Sequence, residues 1–357
     1  MSREINISGI QQIGIGVPNV PEAWKWYRRY FGVDVRIFEE KAFANFMLPY
    51  TGGEPRERHA ALAVNMQGGG GFEIWQYTGR IPQPPAFDVK LGDLGIFAAK
   101  IKVRDIQKAY AAYSPDGVCM KGVFQDPAGQ DVFYMKDPLN NIFQMAGSTS
   151  WFKDEKKHTG ATYGVIVGVS DIDKSVNFYS SILGYDDTVY DRNGVFDDYC
   201  ELPGGKNKFR RVLLRHKNER KGSFSKLFGP SQIELVQVLD RAPRNIFENR
   251  YWGDLGFIHL CFDVTGMDSL REDCRKKGYP FTVDSFANLG NKFDMGEAAG
   301  HFSYIEDPDG TLIEFVETLR VPVLKKLGIY LNLQKRDPLK PLPDWMINAL
   351  GLSRVKD

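Results

Sequence analysis

One unit recurs four times along this chain, and that repeat constrains the fold more than any single residue does. It opens on an alternating strand: Gln12-Ile-Gly-Ile-Gly-Val17, Ala98-Ala-Lys-Ile-Lys-Val103, Gly164-Val-Ile-Val-Gly-Val169 and His259-Leu-Cys-Phe-Asp-Val264. It closes on another: Phe72-Glu-Ile74, Phe143-Gln-Met145, Ile233-Glu-Leu235 and Ile313-Glu-Phe315. A period of two puts Leu260, Phe262 and Val264 on one face of the strand and His259, Cys261 and Asp263 on the other. Between the two strands of the last copy, Ser269–Gly278 reads as a short helix, and Pro308-Asp309-Gly310 as the turn of a hairpin. The unit is therefore βαβββ. Asp137–Gln144 aligns without a gap to Asp307–Glu314, and Trp26–Gly32 to Phe178–Gly184, so the chain reads as two pairs of modules.

The segments Val169-Ser-Asp-Ile-Asp-Lys-Ser-Val-Asn-Phe-Tyr-Ser-Ser-Ile-Leu-Gly184 and Tyr304-Ile-Glu-Asp-Pro-Asp-Gly-Thr-Leu-Ile-Glu-Phe315 resemble the vicinal oxygen chelate superfamily. That superfamily takes in glyoxalase I, extradiol dioxygenases and bleomycin-resistance proteins. The resemblance runs through nearly the whole chain to about Leu319. It implies an α+β fold of four βαβββ modules forming two cupped mixed sheets, with a C-terminal helical tail. The expected divisions are 1–150 for modules one and two, 160–318 for modules three and four, and 319–357 for the tail. A fold of this kind does not by itself select a reaction.

In this fold the first and last strands of a module are neighbours and two modules close a cup, so four inward positions converge. Module four offers His259 and Glu314, the one His/Glu pair among the four modules. If modules pair in sequence, Gly164 and Glu234 join them. If module one pairs with module four, as in single-chain glyoxalases with four modules, the set is Gln12, Glu73, His259 and Glu314. That set resembles glyoxalase I residue by residue. The other cup would then hold Ala98, Gln144, Gly164 and Glu234 and no metal. The reading leans to the first-with-fourth set, since an inward Gln12 has no purpose if nothing binds there, but both pairings stay open. An imidazole with carboxylates suits one divalent ion: Zn, Mn, Ni, Co or Fe.

The resemblance implies a metal-dependent lyase or isomerase that moves a proton on a small oxygenated substrate held through adjacent oxygens, with Glu314 or Glu73 as base. The first alternative is an extradiol or 2-oxo-acid dioxygenase using iron. Such enzymes need two His and one carboxylate; here Gly164 stands at the place of the other His, and Met295-Gly-Glu297 where a further His would lie. His301 is nearby with its direction undetermined. The second alternative is a metal-free binding protein of the bleomycin-resistance type, whose pocket Trp24, Trp75 or Trp151 would line.

A net charge of +1 leaves no electrostatic footprint for nucleic acid, and no apolar run approaches the ~18 residues of a membrane span. The start of the chain has no signal-peptide pattern. Cys119, Cys200, Cys261 and Cys274 show no CxxC spacing; reduced thiols in a cytoplasmic monomer or homodimer are expected. Asn19-Val-Pro-Glu22 starts a helix with its cap and early proline, and Gly32 ends it. Ile13, Ile15 and Val17 face that helix; Gln12, Gly14 and Gly16 face the concave side, where glycine leaves room. His59 falls in a strand, and Gln67–Gly71 is a flexible turn. Arg210-Arg211 and Arg215-His216-Lys217 read as a solvated face, with contact to an anionic substrate as the alternative. Thr318–Asp357 carries eight Lys/Arg against three Asp. In it Arg336–Pro343 reads as an extended bridge and Asp344–Leu350 as a capped helix. The tail packs on its own domain or a second subunit in the main reading, and on a membrane surface in the other.

Overall fold

The computed structural model describes residues 4–286, 293–295, 298–324 and 329–356, without the side chains of 293–299 and 321–330. Met295-Gly-Glu297 therefore lies outside the described side chains. Module one runs β1 (Asn6–Gly16), α1 (Val20–Phe31), β2 (Val35–Phe43), β3 (Glu57–Val64) and β4 (Gly71–Tyr77). Module two runs β5 (Gly95–Val103), α2 (Ile106–Tyr113), β6 (Phe124–Gln125), β7 (Asp131–Lys136) and β8 (Ile142–Gly147). Module three has β9 (Thr159–Gly168), α3 (Ile172–Ser181), β10 (Asp187–Gly194), β11 (Phe209–Arg215), a short α4 (Ser225–Phe228) and β12 (Gln232–Val238). Module four has β13 (Gly256–Thr265), α5 (Met267–Lys276), β14 (Val283–Asp284), β15 (Phe293–Met295), β16 (Ala298–Glu306) and β17 (Leu312–Leu324). The tail adds β18 (Ile329–Asn332) and α6 (Asp344–Ala349).

Two mixed sheets result. One has the order β14-β16-β17-β13-β1-β4-β3-β2, with β15 on β16 and β18 on β17; the other is β10-β11-β12-β9-β5-β8-β7-β6. Module one therefore pairs with module four, and module two with module three. Inside each module the first strand runs parallel to the last, as β1 with β4 and β13 with β17. Between modules the first strands meet antiparallel, β1 with β13 and β5 with β9. The halves of the sequence are tied another way. Tyr27 of α1 donates its hydroxyl to Asp137 in the last turn of module two (2.7 Å), and Tyr179 of α3 to Asp307 in the last turn of module four (3.0 Å). Each half of the chain thus supplies one module to each sheet. One apolar core, including Ile13, Ala99, Val165 and Leu260, runs through all four.

Local sequence accounts for the helix that backs the first sheet. Asn19 caps α1 by accepting from the Glu22 amide, and Gly32 closes it in the left-handed region at φ 59°. Its Tyr27 and Phe31 bury against Ile13, Ile15 and Val17 on the convex face, which leaves the even-numbered positions of β1 to the concave side.

Two local readings change. The bridge Arg336–Pro343 is not extended: the Asp337 side chain accepts from the Leu339 amide (3.0 Å) and its carbonyl from the Lys340 amide (3.2 Å), an Asx-type turn. Helix α6 has no side-chain cap; Pro343 precedes it and Asp344 pairs with Lys226 at 2.7 Å instead. The tail does pack on its own chain, where Leu333, Leu342 and Ile347 bury against Val35, Val64, Met66 and Phe228. No described helix is long and apolar enough to cross a membrane.

Candidate metal centre

Strand register brings the four candidates together. Across the β1–β13 seam Gln12 lies opposite Cys261 and Gly14 opposite His259; on the flanks Glu73 neighbours Gly14 and Glu314 neighbours Cys261. Side chains on one face recur every second residue, so Gln12, Glu73, His259 and Glu314 all point into one cup. Their fit depends on Gly14. A Cβ there would stand 2.4 Å from Cε1 of the His259 ring, so the missing side chain is the space the imidazole occupies. Gly16 makes the same kind of room, since its Cβ would meet the Asp254 carbonyl oxygen at 2.0 Å.

The four side chains are buried, His259 completely. One oxygen of Glu314 lies 3.2 Å from His259 Nε2 and accepts from Gln12 Nε2 at 3.1 Å; one oxygen of Glu73 lies 3.4 Å from each of those nitrogens. The ligand atoms of Glu73, His259 and Glu314 all fall within 4.8 Å of one another. His259 Nε2 meets both carboxylates at ion-pair distance without a well-formed hydrogen bond, and Gln12 Oε1 has no partner among the described residues. Two buried atoms able to ligate thus stand unsatisfied beside two buried carboxylates. Burial, then the Glu314 charge, raises the Glu73 carboxyl to about 7, against smaller lowering by His259 and Arg58. Burial opposes the imidazolium of His259, but the Glu314 and Glu73 carboxylates outweigh it and raise its pKa. Burial likewise works to raise Glu314, yet His259 holds it below its ordinary value. A cation between the carboxylates would relieve this repulsion and satisfy both orphan atoms; one nitrogen and three oxygens suit a first-row divalent ion. The residues fit a metal.

Above this set lies a cavity of about 120 Å³ walled by Phe38, Phe46, Trp252, Phe302 and Tyr304, with Arg58 and Glu40 also on its lining. The Trp252 ring lies parallel to His259, centroids 6.1 Å apart, and Tyr304 stands edge-on to it at 5.5 Å. The Tyr304 hydroxyl is 3.5 Å from His259 Nδ1, a long contact that orients the ring. Of the three tryptophans read from sequence, Trp75 sits in the cup wall against Trp252. Trp24 bonds the Val33 carbonyl on the convex side, and Trp151 bonds the Ser148 carbonyl under Arg104. Trp252 and Arg58 were not found from sequence. Trp252 precedes β13 in irregular chain, while Arg58 shares parity with Ala60 and Leu62 and was legible by alternation.

No second histidine reaches the cup. His301 pairs with Glu317 across β16–β17, one step out of phase with the inward Tyr304–Glu314 pair, and its ring packs on Phe286. His59 lies beside Glu39 at 3.2 Å, His158 packs on Tyr113, and His216 contacts the Asn218 carbonyl at 2.8 Å.

The other cup is built differently. At its centre Glu234 accepts from Lys100 Nζ (2.6 Å), the Tyr190 and Tyr199 hydroxyls (2.8 and 2.7 Å) and Arg211 Nε (2.8 Å). Arg211 Nη1 also bonds both oxygens of Asp198, at 2.8 and 2.9 Å, and its guanidinium lies 3.8 Å from the Tyr199 ring. Gln144 donates to the Tyr134 hydroxyl at 2.9 Å. The solvated-face reading holds for Arg210, which pairs with Asp173 and Asp191, but not for Arg211, which is wholly buried. Adjacent residues of a strand face opposite ways, so one of the two had to point inward.

Residues 164–295 match the sequence profile of the Glyoxalase/Bleomycin resistance protein/Dioxygenase superfamily. Glyoxalase I from Zea mays superposes with a TM-score of 0.51 at 14% identity, covering 88% of this chain and 92% of that one. A putative dioxygenase from Bacillus subtilis superposes with a TM-score of 0.55 at 12% identity, covering 87% of this chain and 86% of that one. No curated protein sequence matches the chain. The chain has the vicinal oxygen chelate fold over most of its length, and its third module and much of its fourth carry the superfamily's sequence pattern.

Proposed function

We propose that the chain is a metal-dependent enzyme that transfers a proton on a small oxygenated substrate, an isomerase or lyase step, in the cup of modules one and four. The observation that carries this is the buried set Gln12, Glu73, His259 and Glu314, with two ligating atoms left unpartnered among the described residues. These residues would hold one divalent ion, of which Zn, Mn, Ni, Co and Fe all suit the donors. When bound, such an ion supplies Lewis acidity toward adjacent substrate oxygens.

The chain's own groups divide the remaining work. Glu314 is held by His259 and Gln12 from two sides. Glu73 touches the same two nitrogens at a longer 3.4 Å, so it is the carboxylate freer to swing, take the proton beside the carbonyl and return it elsewhere. Trp252, Phe46 and Phe302 exclude water from the reacting carbon. Tyr304 fixes the His259 ring. A dioxygenase reading is weaker, because the face of two histidines and one carboxylate that oxygen chemistry on non-haem iron uses has one histidine here.

The test is to load the protein with zinc, manganese, nickel or iron(II) and follow solvent deuterium exchange into 2-hydroxycarbonyl compounds. Oxygen uptake with catechols and 2-oxo acids is followed in parallel. Exchange that disappears in Glu73→Ala and His259→Ala, without oxygen uptake, is expected. Substrate-dependent oxygen uptake that requires His259 would replace this reading with the dioxygenase.

A further inference from the structure

Beyond the metal-type residues, the same cavity is lined by a guanidinium with one nitrogen, Arg58 Nη1, that has no acceptor among the described residues. Arg58 lies on β3, on the face that Ala60 and Leu62 share with Glu73 and Trp75 across the β3–β4 ladder. Its side chain is 12% exposed, and Nη2 pairs with Glu40 Oε1 on the neighbouring strand β2. Glu40 stands opposite Ala60, so this pairing leans the guanidinium back over the cavity. Nη1 is buried, and no described group accepts from it. An unmade hydrogen bond from a buried cationic group is costly, and a guanidinium fork presents donors to more than one carboxylate at once. The Trp252 indole N–H, on the same cavity's lining, is unpartnered too.

Arg58 and Glu73 both line the cavity but start from backbone positions well apart. Leu62 is the residue opposite Glu73, and Arg58 lies four residues before it, roughly 13 Å of extended strand at about 3.3 Å per residue. The same lining includes the aromatic rings of Phe38, Phe46, Phe302 and Trp252.

We propose that the substrate carries a carboxylate at the end away from its chelating oxygens, on a flat apolar body, and that Arg58 receives this carboxylate with Glu40 fixing the guanidinium. The proposal rests on the metal-dependent reading of the cup for which end is which. It makes Arg58 a specificity-determining residue that takes no part in the proton transfer. The small volume favours a body of about one aromatic ring.

Two probes separate the ends. 2-Hydroxyacetophenone has adjacent oxygens on an aromatic ring; 4-(hydroxyacetyl)benzoate adds a carboxylate opposite them. Both are titrated calorimetrically into the full chain, metal-loaded and metal-free, with metal content measured on the same samples. The carboxylate is expected to improve affinity about tenfold or more in the wild-type protein. Arg58→Met abolishes that preference while leaving 2-hydroxyacetophenone affinity, compared at equal metal content, as it was, and Arg58→Lys restores part of it. Equal affinity for the two probes in the wild type, or a preference that survives Arg58→Met, overturns the proposal. Metal content near zero would instead strike the reading of the cup, and the Arg58-dependent preference would still be decided by the two titrations.

Discussion

The two cups are the same architecture with opposite electrostatic solutions. Both place a glutamate on the last strand of a module, Glu314 and Glu234, at the same register. Around Glu234 the protein supplies its own cations: Lys100 and Arg211 reach the carboxylate directly, two tyrosine hydroxyls complete its shell, and its pKa falls far below the ordinary value, against burial, chiefly because of Arg211 and then Lys100. Around Glu314 the chain adds a second carboxylate, leaves His259 Nε2 and Gln12 Oε1 unpartnered, and sets a cavity above them. Where the chain supplies its own cations the carboxylate is satisfied within the fold; where it does not, the donors left over suit a cation from solution. Lys100, two residues beyond Ala98, supplies positive charge to Glu234 that no described side chain but His259 offers Glu314 at such range.

The largest effects come from breaking that difference in stability. Glu234→Ala strands Lys100 as a buried charge and leaves Arg211 with Asp198 alone, an imbalance that costs about 3–5 kcal/mol. In metal-free protein, Glu73→Ala removes a repulsion and leaves stability equal or higher. Chemical denaturation in chelator measures both; equal losses for the two variants would mean the cups are alike after all.

The pH signatures should also run in opposite directions. The Glu73 carboxyl is raised to about 7, so the unfolded chain ionises first. Its contribution is fully present below the unfolded carboxylate value of about 4.3 and is lost as pH rises toward 7, by the order of 3 kcal/mol. His259, raised by its carboxylate neighbours, shifts the same way, losing its contribution as pH rises past its ordinary value. Glu234 has a lowered pKa, so its contribution is present above about 4.3 and is lost in acid. Asp263 and Asp307 are also raised, to about 7 and about 6, so the clean observation is the difference between wild type and Glu73→Gln in chelator at pH 5 and pH 7.5. A slope that Glu73→Gln leaves intact would place the titrating group elsewhere.

A smaller effect sharpens the comparison at one glycine from each cup, Gly14 and Gly164, the latter aligned with Gln12. In Gly14→Ala the new Cβ meets the His259 ring at 2.4 Å and must displace it from its place beside Trp252 and Tyr304. Folding should lose about 1–3 kcal/mol, while metal affinity falls about 10–100-fold, the scale of a disturbed ligand orientation. In Gly164→Ala the Cβ meets the Gln232 backbone oxygen at 1.7 Å. That variant should lose stability and keep its metal.

Much of this was legible in the chain because a strand's period of two is strict. It fixed His259 and Gln12 as inward, and the repeat located Glu73 and Glu314. Which modules pair was open, since a first strand carries no local mark of its partner across the seam and the choice is made by long-range topology. Arg211 and Lys100 were missed for a related reason. A run of charge reads as surface, yet alternation requires one of Arg210 and Arg211 to face inward, and Lys100 shares the parity of Ala98. Trp252 lies in irregular chain before β13, where no periodicity reports direction. In Arg336–Pro343 the prolines favour extended chain, but the Asp337 side chain accepts from the Leu339 amide and folds the segment into a turn.

The central claim is that one cup takes a metal and the other does not. Elemental analysis of the purified, metal-supplemented chain tests it most directly. The expected content is one divalent ion per chain in the wild type and in Glu234→Ala, if enough of that variant folds, and close to none in His259→Ala and Glu73→Ala. Close to none in the wild type, or one ion that persists in His259→Ala, would contradict it.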